Sequence, residues 1–251
     1  MALKDTWQQT KFSINGATIT ASKDANELAP SSRIVASLVA DFYQRTLPKW
    51  VSGDLVDLGC GKAPLLGAYR EHCSSIVLAD WANSLHENPL LDIVIDLNKP
   101  LQAFENESFD VVVLSDVLEH IAEPSNLLSE ISRILKPGGR LILNVPFLYQ
   151  LHETPHDYFR YTQYALDRLI EKAGLEVKEL VPLGGWLEVM ADLWSKLLLH
   201  ARLSILVPAL HRLVMAVRKT PVGRRFTDKT SRVFPIGYGL VAVKVQRLEE
   251  I

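Results

Sequence analysis

Residues 55–64 have the sequence Leu55-Val-Asp-Leu-Gly-Cys-Gly-Lys-Ala-Pro64, in which a short apolar run is followed by two glycines one residue apart. The apolar run predicts a buried strand. The glycines predict a turn at which a ligand lies directly against the backbone, because a Cβ atom there would hold the ligand away. Leu65–Tyr69 can begin a helix, so that strand, turn and helix together form the nucleotide-binding corner of a doubly wound α/β sheet.

Apolar segments of similar length recur along the chain and alternate with helical patterns. The segments that predict strands are Leu55–Leu58, Ser75–Asp80, Leu91–Asp96, Phe109–Ser115, Arg140–Pro146, Glu176–Val181 and Tyr238–Val245. Nearly continuous apolar strands separated by helices are typical of a parallel sheet that is covered on both faces. One intervening helix is predicted to begin at Ser125 and to stop at Lys136–Gly139, and another to begin at a Thr162 cap and to end at Gly174.

Two regions lie outside this alternation. Residues 1–50 predict an N-terminal arm, either a small hairpin or a loose segment, and then a helix that starts after Ser32 and ends before Pro48. Residues 186–233 predict two amphipathic helices inserted before the last strand, which we interpret as a lid, a dimer surface or a membrane-surface element. The apolar faces predicted for these helices are Leu187, Met190, Trp194, Leu197 and Leu198, and then Leu210, Leu213, Val214 and Val217. All of 1–251 is expected to form one domain.

The composition is that of an ordinary globular protein, with 48% hydrophobic and 22% charged residues. A net charge of -2 gives no reason to expect a nucleic-acid partner. Cys60 and Cys73 do not suggest a disulfide framework, because Cys60 lies in the glycine turn. The chain shows no signal-peptide pattern and no stretch near the roughly 20 apolar residues of a spanning helix. We therefore expect a soluble, cytoplasmic protein, for which a peripheral membrane contact stays open.

Acids near the strand ends indicate the chemistry of the ligand. Asp80 follows Gly61 by 19 residues, the spacing at which an acid can accept both hydroxyls of a ribose. A nicotinamide dinucleotide would require a third glycine and free backbone amides for its pyrophosphate, whereas Pro64 supplies no N–H. Asp57, two residues before the glycines, would repel phosphate but suits an amine or a sulfonium. These features disfavour an NAD-dependent oxidoreductase, which remains a less favoured alternative.

Three motifs resemble those of class I S-adenosylmethionine-dependent methyltransferases, in particular their small-molecule, type 11-like branch. They are Val56–Gly61, Ser115–His120 and Leu135–Leu141. The resemblance covers about residues 51–182 and resumes at 236–246. It implies a seven-stranded, mostly parallel Rossmann-like sheet whose last strand runs antiparallel, with S-adenosyl-L-methionine as the cofactor. Ala63 departs from the family pattern, in which a third glycine is common, but the residue is small and binding should survive.

The resemblance also implies which residues surround the cofactor. It implies that Gly59 and Gly61 lie under the methionine portion, with Asp57 near its amine through water. It also implies that Asp80 holds the ribose, that Trp81, Asp96 and Leu97 lie at the adenine, and that Ser115 lies beside the sulfonium. Cys60 is expected to pack its small side chain under the turn. Glu119 and His120 are expected to be structural, because this segment packs against the cofactor in the resembling family.

The loop after the fifth strand is rich in residues that can bind or activate a methyl acceptor. Methyl transfer is an in-line displacement at a carbon that the sulfonium activates, so the protein must align the reactants and remove the proton of a hydroxyl or amine. We expect His156, oriented by Asp157, to act as the base, with His152 as second choice. A structural role in the loop is the alternative for each histidine.

The same loop supplies the candidates for acceptor binding. They are Tyr149, Tyr158, Arg160 and Tyr161. Arg160 would pair with an acidic group of the acceptor or, equally, form a salt bridge that holds the loop. The ligand types at His152, Glu153, His156 and Asp157 would permit a metal ion, but none is expected, because no regular helix aligns the histidines.

We therefore expect a methyltransferase that acts on a small molecule, a glycan or a lipid precursor, with oxygen favoured as the accepting atom. Basic residues in the insertion suit an anionic acceptor or a lipid headgroup, although a solvated face is the simpler interpretation. They are Arg212, Arg218, Lys219, Arg224, Arg225, Lys229 and Arg232, with Asp228 as the opposing acid. A homodimer stays open. The alternative function is a non-catalytic adaptor that binds partners through 186–233, which the intact glycine turn disfavours.

Overall fold

The computed structural model describes residues 6–84 and 88–245. Its strands are β1 Phe12–Asn15, β2 Thr18–Ala21, β3 Gly53–Leu58, β4 Cys73–Asp80, β5 Ile93–Val94, β6 Phe109–Ser115, β7 Leu135–Pro146, β8 Leu175–Leu183 and β9 Gly237–Lys244. Its helices are α1 Arg33–Trp50, α2 Leu66–Tyr69, α3 Pro124–Ile134, α4 Gln163–Lys172, α5 Trp186–His200, α6 Val207–Lys219 and α7 Pro221–Thr230.

Within the described ranges, seven strands form one sheet in the order β5-β4-β3-β6-β7-β9-β8. The strands β3 to β7 pair in parallel, whereas β9 runs antiparallel to both β7 and β8. Two clusters of buried apolar side chains form the core of the domain. The predicted doubly wound α/β sheet and its antiparallel last strand are both confirmed.

The glycine turn follows β3, which lies in the middle of the sheet between β4 and β6. Gly59 has a φ of 70° and Gly61 a φ of 52°, a left-handed conformation that glycine adopts at little cost. A Cβ atom on Gly59 would lie 2.6 Å from Cγ2 of Val117. The predicted strand and turn are confirmed, but the helix after them is only the single turn α2, continued to His72 by a 3-10 turn.

Two elements have bounds that differ from the predicted ones, because of the way their strands pair in the sheet. The strand predicted at Leu91–Asp96 shortens to the two residues of β5, which lies at the edge of the sheet, where short strands are common. Helix α3 stops before Lys136–Gly139 as predicted, but this segment continues as strand β7 instead of forming a free turn. The reason is that Leu135 pairs with Phe109 before the register of the two strands shifts.

The N-terminal arm folds as the hairpin β1–β2, one of the two predicted possibilities, although residues 1–5 lie outside the described residues. Helix α1 begins after Ser32 as predicted. It does not end before Pro48, because a proline in the last turn removes only one intrahelical hydrogen bond. The next turn still closes, with the N–H of Val51 donating to the carbonyl of Leu47 at 3.0 Å.

The insertion at 186–233, a segment that is described throughout, forms the three helices α5, α6 and α7 instead of two. The apolar face predicted for α5 is correct only in part, because Leu187 packs against the core but other members of that face are exposed. Trp194 is 51% exposed and Leu197 53% exposed. The buried residues of α5 are Glu188, Val189, Ala191, Asp192, Ser195 and Lys196.

The polar side of α5 is buried because its charged residues have partners inside the fold. Glu188 accepts hydrogen bonds from the hydroxyl of Thr227 at 2.9 Å and from the N–H of Gly185 at 2.9 Å. Lys196 forms an ion pair with Asp192 on the next turn of the helix. Periodicity in the sequence cannot reveal this orientation, since Thr227 lies on a different helix.

Candidate active site

A large cavity opens at the carboxyl ends of β3, β4 and β6. Its volume of about 790 Å³ falls in the range of roughly 300–1,000 Å³ that is typical of small-molecule sites. Of the residues predicted to surround a cofactor, the following line it: Gly59, Cys60, Gly61, Asp80, Trp81, Asp96, Leu97 and Ser115. The cavity lies beside β3, where the strand order reverses, which is the position at which open α/β sheets bind their ligands.

Asp57 is the predicted cofactor residue that does not line the large cavity. Its side chain is buried, and the hydroxyl of Tyr69 donates to its Oδ2 at 2.8 Å. Burial raises the pKa of Asp57 to about 7, opposed by the Tyr69 hydrogen bond and helped by the charge of Asp80. Asp57 therefore belongs to the packing that supports the turn and does not contact the space of the ligand.

Asp80 joins the end of β4 to the glycine turn. Its Oδ2 accepts the N–H of Gly61 at 3.0 Å, and its Oδ1 accepts the N–H of Trp81 at 2.7 Å. Each carboxylate oxygen has a second lone pair. The carboxylate is thus held in place by backbone and can still accept two hydroxyl groups, such as those of a ribose.

Trp81 presents a partly exposed aromatic ring to the large cavity. The ring contacts that of His156 edge to face, with the centroids 5.3 Å apart. An indole of this kind can stack on a planar base. Asp96 and Leu97 line the same cavity, and Asp96 accepts the N–H of Asn98 at 3.0 Å.

A second, inner cavity of about 130 Å³ adjoins the large one. Lys11, Asp116, His120 and Glu153 line both, so the two cavities meet at these side chains. Its apolar wall consists of Leu28, Val35, Ala36, Val39, Leu183 and Ile236. Its other polar lining residues include Ser32, Glu119, Asn144, Tyr149 and His152. The inner cavity therefore offers both an apolar wall and a group of titratable side chains.

Glu119, His120 and His152 come together in this lining. Glu119 is completely buried, and its Oε1 lies 3.8 Å from Nε2 of His120 and 3.7 Å from Nε2 of His152. Burial raises the pKa of Glu119, although both histidines oppose the shift. Burial lowers the pKa of His152, but the nearby carboxylates of Glu119 and Asp157 outweigh it and leave that pKa above its ordinary value. The Glu119–His120 segment faces a cavity and does not merely pack the fold.

The predicted pair of His156 and Asp157 does not form. Asp157 instead binds the guanidinium of Arg160, with oxygen–nitrogen distances of 2.6 and 2.7 Å. Its Oδ2 also accepts the backbone N–H of His152 at 2.9 Å and lies 3.3 Å from Nδ1 of that histidine. The guanidinium holds the pKa of Asp157 well below its usual range. Because Arg160 and residue 152 occupy both oxygens, Asp157 orients His152, the second of the two predicted bases.

His156 lies in the lining of the large cavity. Its Nδ1 is 2.9 Å from the hydroxyl of Tyr158, and its ring packs against Trp81. His156 lines the large cavity, whereas His152 lines the inner one. The structure therefore separates the two predicted bases into different cavities.

The four residues predicted to bind the acceptor do not lie together in one cavity. Tyr149 lines the inner cavity, with its hydroxyl 3.2 Å from Oγ of Ser32, and Tyr158 lines the large one. Arg160 forms the salt bridge to Asp157 that was the alternative to acceptor binding. Tyr161 is buried and lines neither cavity.

A polar network that the sequence pattern does not reveal lies at the ends of β6 and β7. The Nζ atom of Lys11 donates to Asp116 Oδ2 at 2.5 Å, and Asn144 Nδ2 donates to Asp116 Oδ1 at 2.5 Å. The hydroxyls of Tyr43 and Ser115 donate to Asn144 Oδ1 at 2.7 and 2.9 Å. The acid of the Ser115–His120 motif was a visible signal, but the approach of Lys11 and Tyr43 depends on the fold.

A family model described as a methyltransferase domain matches residues 32–180, more than half of the chain. The chain belongs to this family, the class I S-adenosylmethionine-dependent methyltransferases. The motif resemblance is thereby confirmed, and S-adenosyl-L-methionine is the cofactor of the class. The match favours the methyltransferase over the NAD-dependent oxidoreductase.

Individual relatives of this methyltransferase are distant. The ubiquinone biosynthesis O-methyltransferase of Burkholderia pseudomallei is 26% identical over 152 residues, which cover 50% of this chain and 66%, just under two thirds, of the relative. A methyltransferase structure from Mesorhizobium loti aligns with a TM-score of 0.52 and 14% identity, over 82% of this chain and 99% of that one. The phosphoethanolamine N-methyltransferase 2 of Haemonchus contortus, solved with S-adenosyl-L-methionine, aligns with a TM-score of 0.51 and 18% identity over 82% and 52%. The two structural likenesses show the shared fold.

The residues of the large cavity fit the cofactor of the methyltransferases. At Gly59 a side chain would clash with Val117, so the backbone is bare at the turn. The free lone pairs of Asp80 suit ribose hydroxyls, and the ring of Trp81 suits the adenine. Pro64 also lines this cavity and offers no N–H to a pyrophosphate.

Proposed function

We propose that this methyltransferase moves a methyl group from S-adenosyl-L-methionine to an oxygen atom of a small-molecule acceptor bound in the inner cavity. The observation that carries the proposal is that the two cavities meet at Lys11, Asp116 and His120. An acceptor in the inner cavity would lie beside a donor in the large one. The activity in the name of the Burkholderia pseudomallei relative supports oxygen as the accepting atom.

The residues of the inner cavity suit an acceptor that is apolar in one part and hydroxylated in another. The bound donor supplies a methyl carbon that its sulfonium activates. The task of the chain is then to align the acceptor oxygen and to handle its proton. We assign that task to Glu119, His120 and His152, and we assign His156 to the donor side.

A donor-binding experiment and a transfer experiment test this function. S-adenosylhomocysteine at 100 times its Kd should stabilise the protein by about 2.7 kcal/mol, and NAD should not. Radiolabelled donor should then methylate members of a panel of phenols and prenyl-linked phenols, with the label recovered as a methyl ether. Stabilisation without transfer to any hydroxylated acceptor would contradict the proposal and favour the adaptor, while label on nitrogen or carbon would contradict the choice of oxygen.

We further propose that the acceptor is linked to a lipid and is reached at an anionic membrane surface. The insertion exposes large apolar side chains at Leu193, Trp194, Leu197, Ile205, Leu206, Leu213, Val222 and Phe226. Exposed basic residues lie among them at Arg202, Arg212, Lys219, Arg224, Arg225 and Lys229. Apolar and basic side chains together are typical of helices that lie in the interface of an anionic bilayer.

None of the helices in the described ranges is both long and apolar enough to cross a membrane.

Sedimentation with lipid vesicles tests the membrane proposal. The protein should bind vesicles of phosphatidylglycerol and phosphatidylcholine, and Arg224→Glu with Arg225→Glu should weaken binding at least about 10-fold, since each basic residue near such a surface contributes about 1 kcal/mol. Arg168→Glu with Lys172→Glu, exposed on α4, is the matched control. Equal binding by both double variants would contradict the proposal, as would a stable dimer that buries the insertion in light scattering and cross-linking.

A further inference from the structure

Glu119 has an environment that its fold neighbours do not explain. The side chain is fully buried, and neither carboxylate oxygen accepts a hydrogen bond from any residue in the described ranges. Buried carboxylates are ordinarily paired, hydrogen-bonded or bound to a metal ion, because an isolated buried charge is costly. An unsatisfied carboxylate that faces a cavity therefore indicates a missing ligand.

Two imidazole nitrogens approach this carboxylate without bonding to it. Nε2 of His120 and Nε2 of His152 lie 3.8 and 3.7 Å from Oε1 of Glu119, too far for a hydrogen bond. Ligand atoms that share a tetrahedral ion, with bonds of about 2.1 Å, lie roughly 3.4 Å apart. The three side chains offer ligand atoms that all lie within 4.8 Å of one another. The two Glu119–histidine distances would need to shorten by a few tenths of an ångström, and the distance between the two imidazole nitrogens by up to about 1.4 Å, for all three side chains to bind one ion.

The far side of the His120 imidazole is already held in the orientation that metal binding requires, and a carboxylate lies close to the far side of His152. Nδ1 of His120 lies 2.7 Å from the carbonyl oxygen of His156, which can only accept a hydrogen bond, so Nδ1 carries the hydrogen and Nε2 keeps its lone pair. Nδ1 of His152 lies 3.3 Å from Oδ2 of Asp157 and 3.5 Å from a guanidinium nitrogen of Arg160, which holds that carboxylate in place. A carbonyl or carboxylate behind each histidine is the usual outer shell of a metal site.

We propose that Glu119, His120 and His152 bind one divalent transition-metal ion of the series from Mn²⁺ to Zn²⁺, and that this ion binds the acceptor oxygen. Two imidazoles and one carboxylate suit such ions and leave coordination positions open. His120 lines both cavities, so the open positions face the place where donor and acceptor meet. Asp116 is not assigned as a ligand, because it already binds Lys11 and Asn144.

The role of the ion in catalysis rests on the function proposed above. On binding the ion, the acceptor hydroxyl releases its proton to water and becomes a metal-bound oxygen anion. This oxygen attacks the methyl carbon of the donor. The new carbon–oxygen bond forms as the carbon–sulfur bond breaks, and its electron pair stays on sulfur, which gives the methyl ether and S-adenosylhomocysteine. The ion thereby supplies the activation that the histidines were predicted to supply as bases.

Metal titration of the full chain, after treatment with a chelator, tests the site without any need for an acceptor. Calorimetry with Zn²⁺, Mn²⁺ and Co²⁺ alone should show one ion per chain, and bound Co²⁺ should give a visible absorption band. Glu119→Gln and His152→Asn should each weaken binding at least 10-fold. His72→Asn, an exposed histidine outside both cavities, should bind as the wild type does.

The thermal shift with S-adenosylhomocysteine shows that each variant is folded. A wild type that binds none of these ions at millimolar concentration would overturn the proposal. Unweakened binding by a folded Glu119→Gln or His152→Asn protein would overturn it as well. If the metal site fails while label still appears on an acceptor oxygen, only this inference falls. If the ion binds at these residues and no hydroxylated acceptor is methylated, the site stands and the proposed function falls.

Discussion

The large and inner cavities adjoin, yet they are assembled in different ways. Most of the predicted donor contacts in the large cavity come from the segments that directly follow β3, β4 and β6. The inner cavity is lined by residues of the N-terminal arm, of α1, of the segment after β6 and of the loop after β7. Lys11 and His152, for example, are far apart in the sequence and both line it. The large cavity, which we propose binds the donor, is thus formed by the sheet itself, whereas the inner cavity, which we propose binds the acceptor, requires segments that the sheet does not align.

This difference predicts that the two halves of the site can be disabled separately. Residues of the inner cavity should control transfer to the acceptor, and residues of the large cavity should control donor affinity. Substitutions at His152, His156 and Asp80 test that separation, and substitutions at Tyr43 and Asp57 test how each half is stabilised.

The largest effect is expected from His152→Asn in the inner cavity. Loss of the group that acts on the acceptor oxygen should lower kcat/KM at least about 100-fold, a typical contribution of proton handling. The Kd of S-adenosylhomocysteine should stay within a factor of about two, as measured by calorimetry. His156→Asn should show the opposite pattern, with weaker donor binding and a smaller loss of rate, because His156 packs against Trp81. A larger loss of kcat/KM in His156→Asn than in His152→Asn would contradict the separate roles of the two cavities.

Asp80→Asn should act on the donor half. An amide accepts weaker hydrogen bonds than a carboxylate, and loss of charge-assisted bonds to a ribose, worth about 1.5–3 kcal/mol, should raise the donor Kd roughly 10- to 100-fold. The KM of the acceptor should change little. Asp167→Asn, exposed on α4, serves as the control and should leave both constants unchanged.

Tyr43→Phe removes a buried hydroxyl from the network beneath the inner cavity. Asn144 Oδ1 would lose its 2.7 Å bond and keep the one from Ser115, so the free energy of unfolding should fall by about 1 kcal/mol. For a chain of this size that corresponds to a Tm lower by about 2–4 °C. Tyr164→Phe removes a hydroxyl from a side chain that is 75% exposed and should leave Tm unchanged. Equal Tm values for the two variants would show that the network does not stabilise the fold.

Asp57 is buried in the strand that precedes the glycine turn, and Asp57→Asn should change how the stability of the protein depends on pH. Burial raises the pKa of Asp57 from 3.8 to about 7, so the unfolded chain loses a proton over this range that the folded protein keeps. The contribution of Asp57 to the free energy of unfolding of the wild type should therefore fall as pH rises from about 4 to 7 and then level off. Between pH 4 and pH 7 the free energy of unfolding of the variant, whose Asn can still accept from Tyr69, should rise relative to that of the wild type by up to about 4 kcal/mol, since each pKa unit corresponds to about 1.4 kcal/mol. A Tm difference that is constant from pH 5 to pH 8 would contradict the buried, protonated Asp57.

The features that sequence analysis predicted well depend on neighbours in the chain. The strand and turn at Leu55–Pro64, the strand at Phe109–Ser115 and the Thr162 cap of α4 all follow from a few adjacent residues, and Thr162 does accept the N–H of Ala165 at 3.2 Å. Periodicity and turn chemistry act over such distances. The residues at the strand ends that line the large cavity were predictable for the same reason, whereas the buried Asp57 does not line it.

The features that it missed depend on partners far along the chain. The buried face of α5 was predicted wrongly in part, because Glu188 is buried against Thr227 and Arg218 on other helices, while Asp192 and Lys196 pair with each other on α5. The pairing of Asp157 with His152 in place of His156 is decided by Arg160, whose guanidinium occupies the carboxylate. The hydrophobic pattern predicts neither the orientation of α5 nor the partner of Asp157, since both depend on polar contacts that form only in the folded chain.

The sequence by itself determined the α/β sheet, the glycine turn and the class of donor, because each is specified by local hydrophobicity, backbone freedom and motif spacing. Only the tertiary structure decided which polar groups share the inner cavity. Burial without a hydrogen bond is a property of surroundings and not of residue type, so the unsatisfied carboxylate of Glu119 and the two imidazoles beside it could be found only in the folded protein.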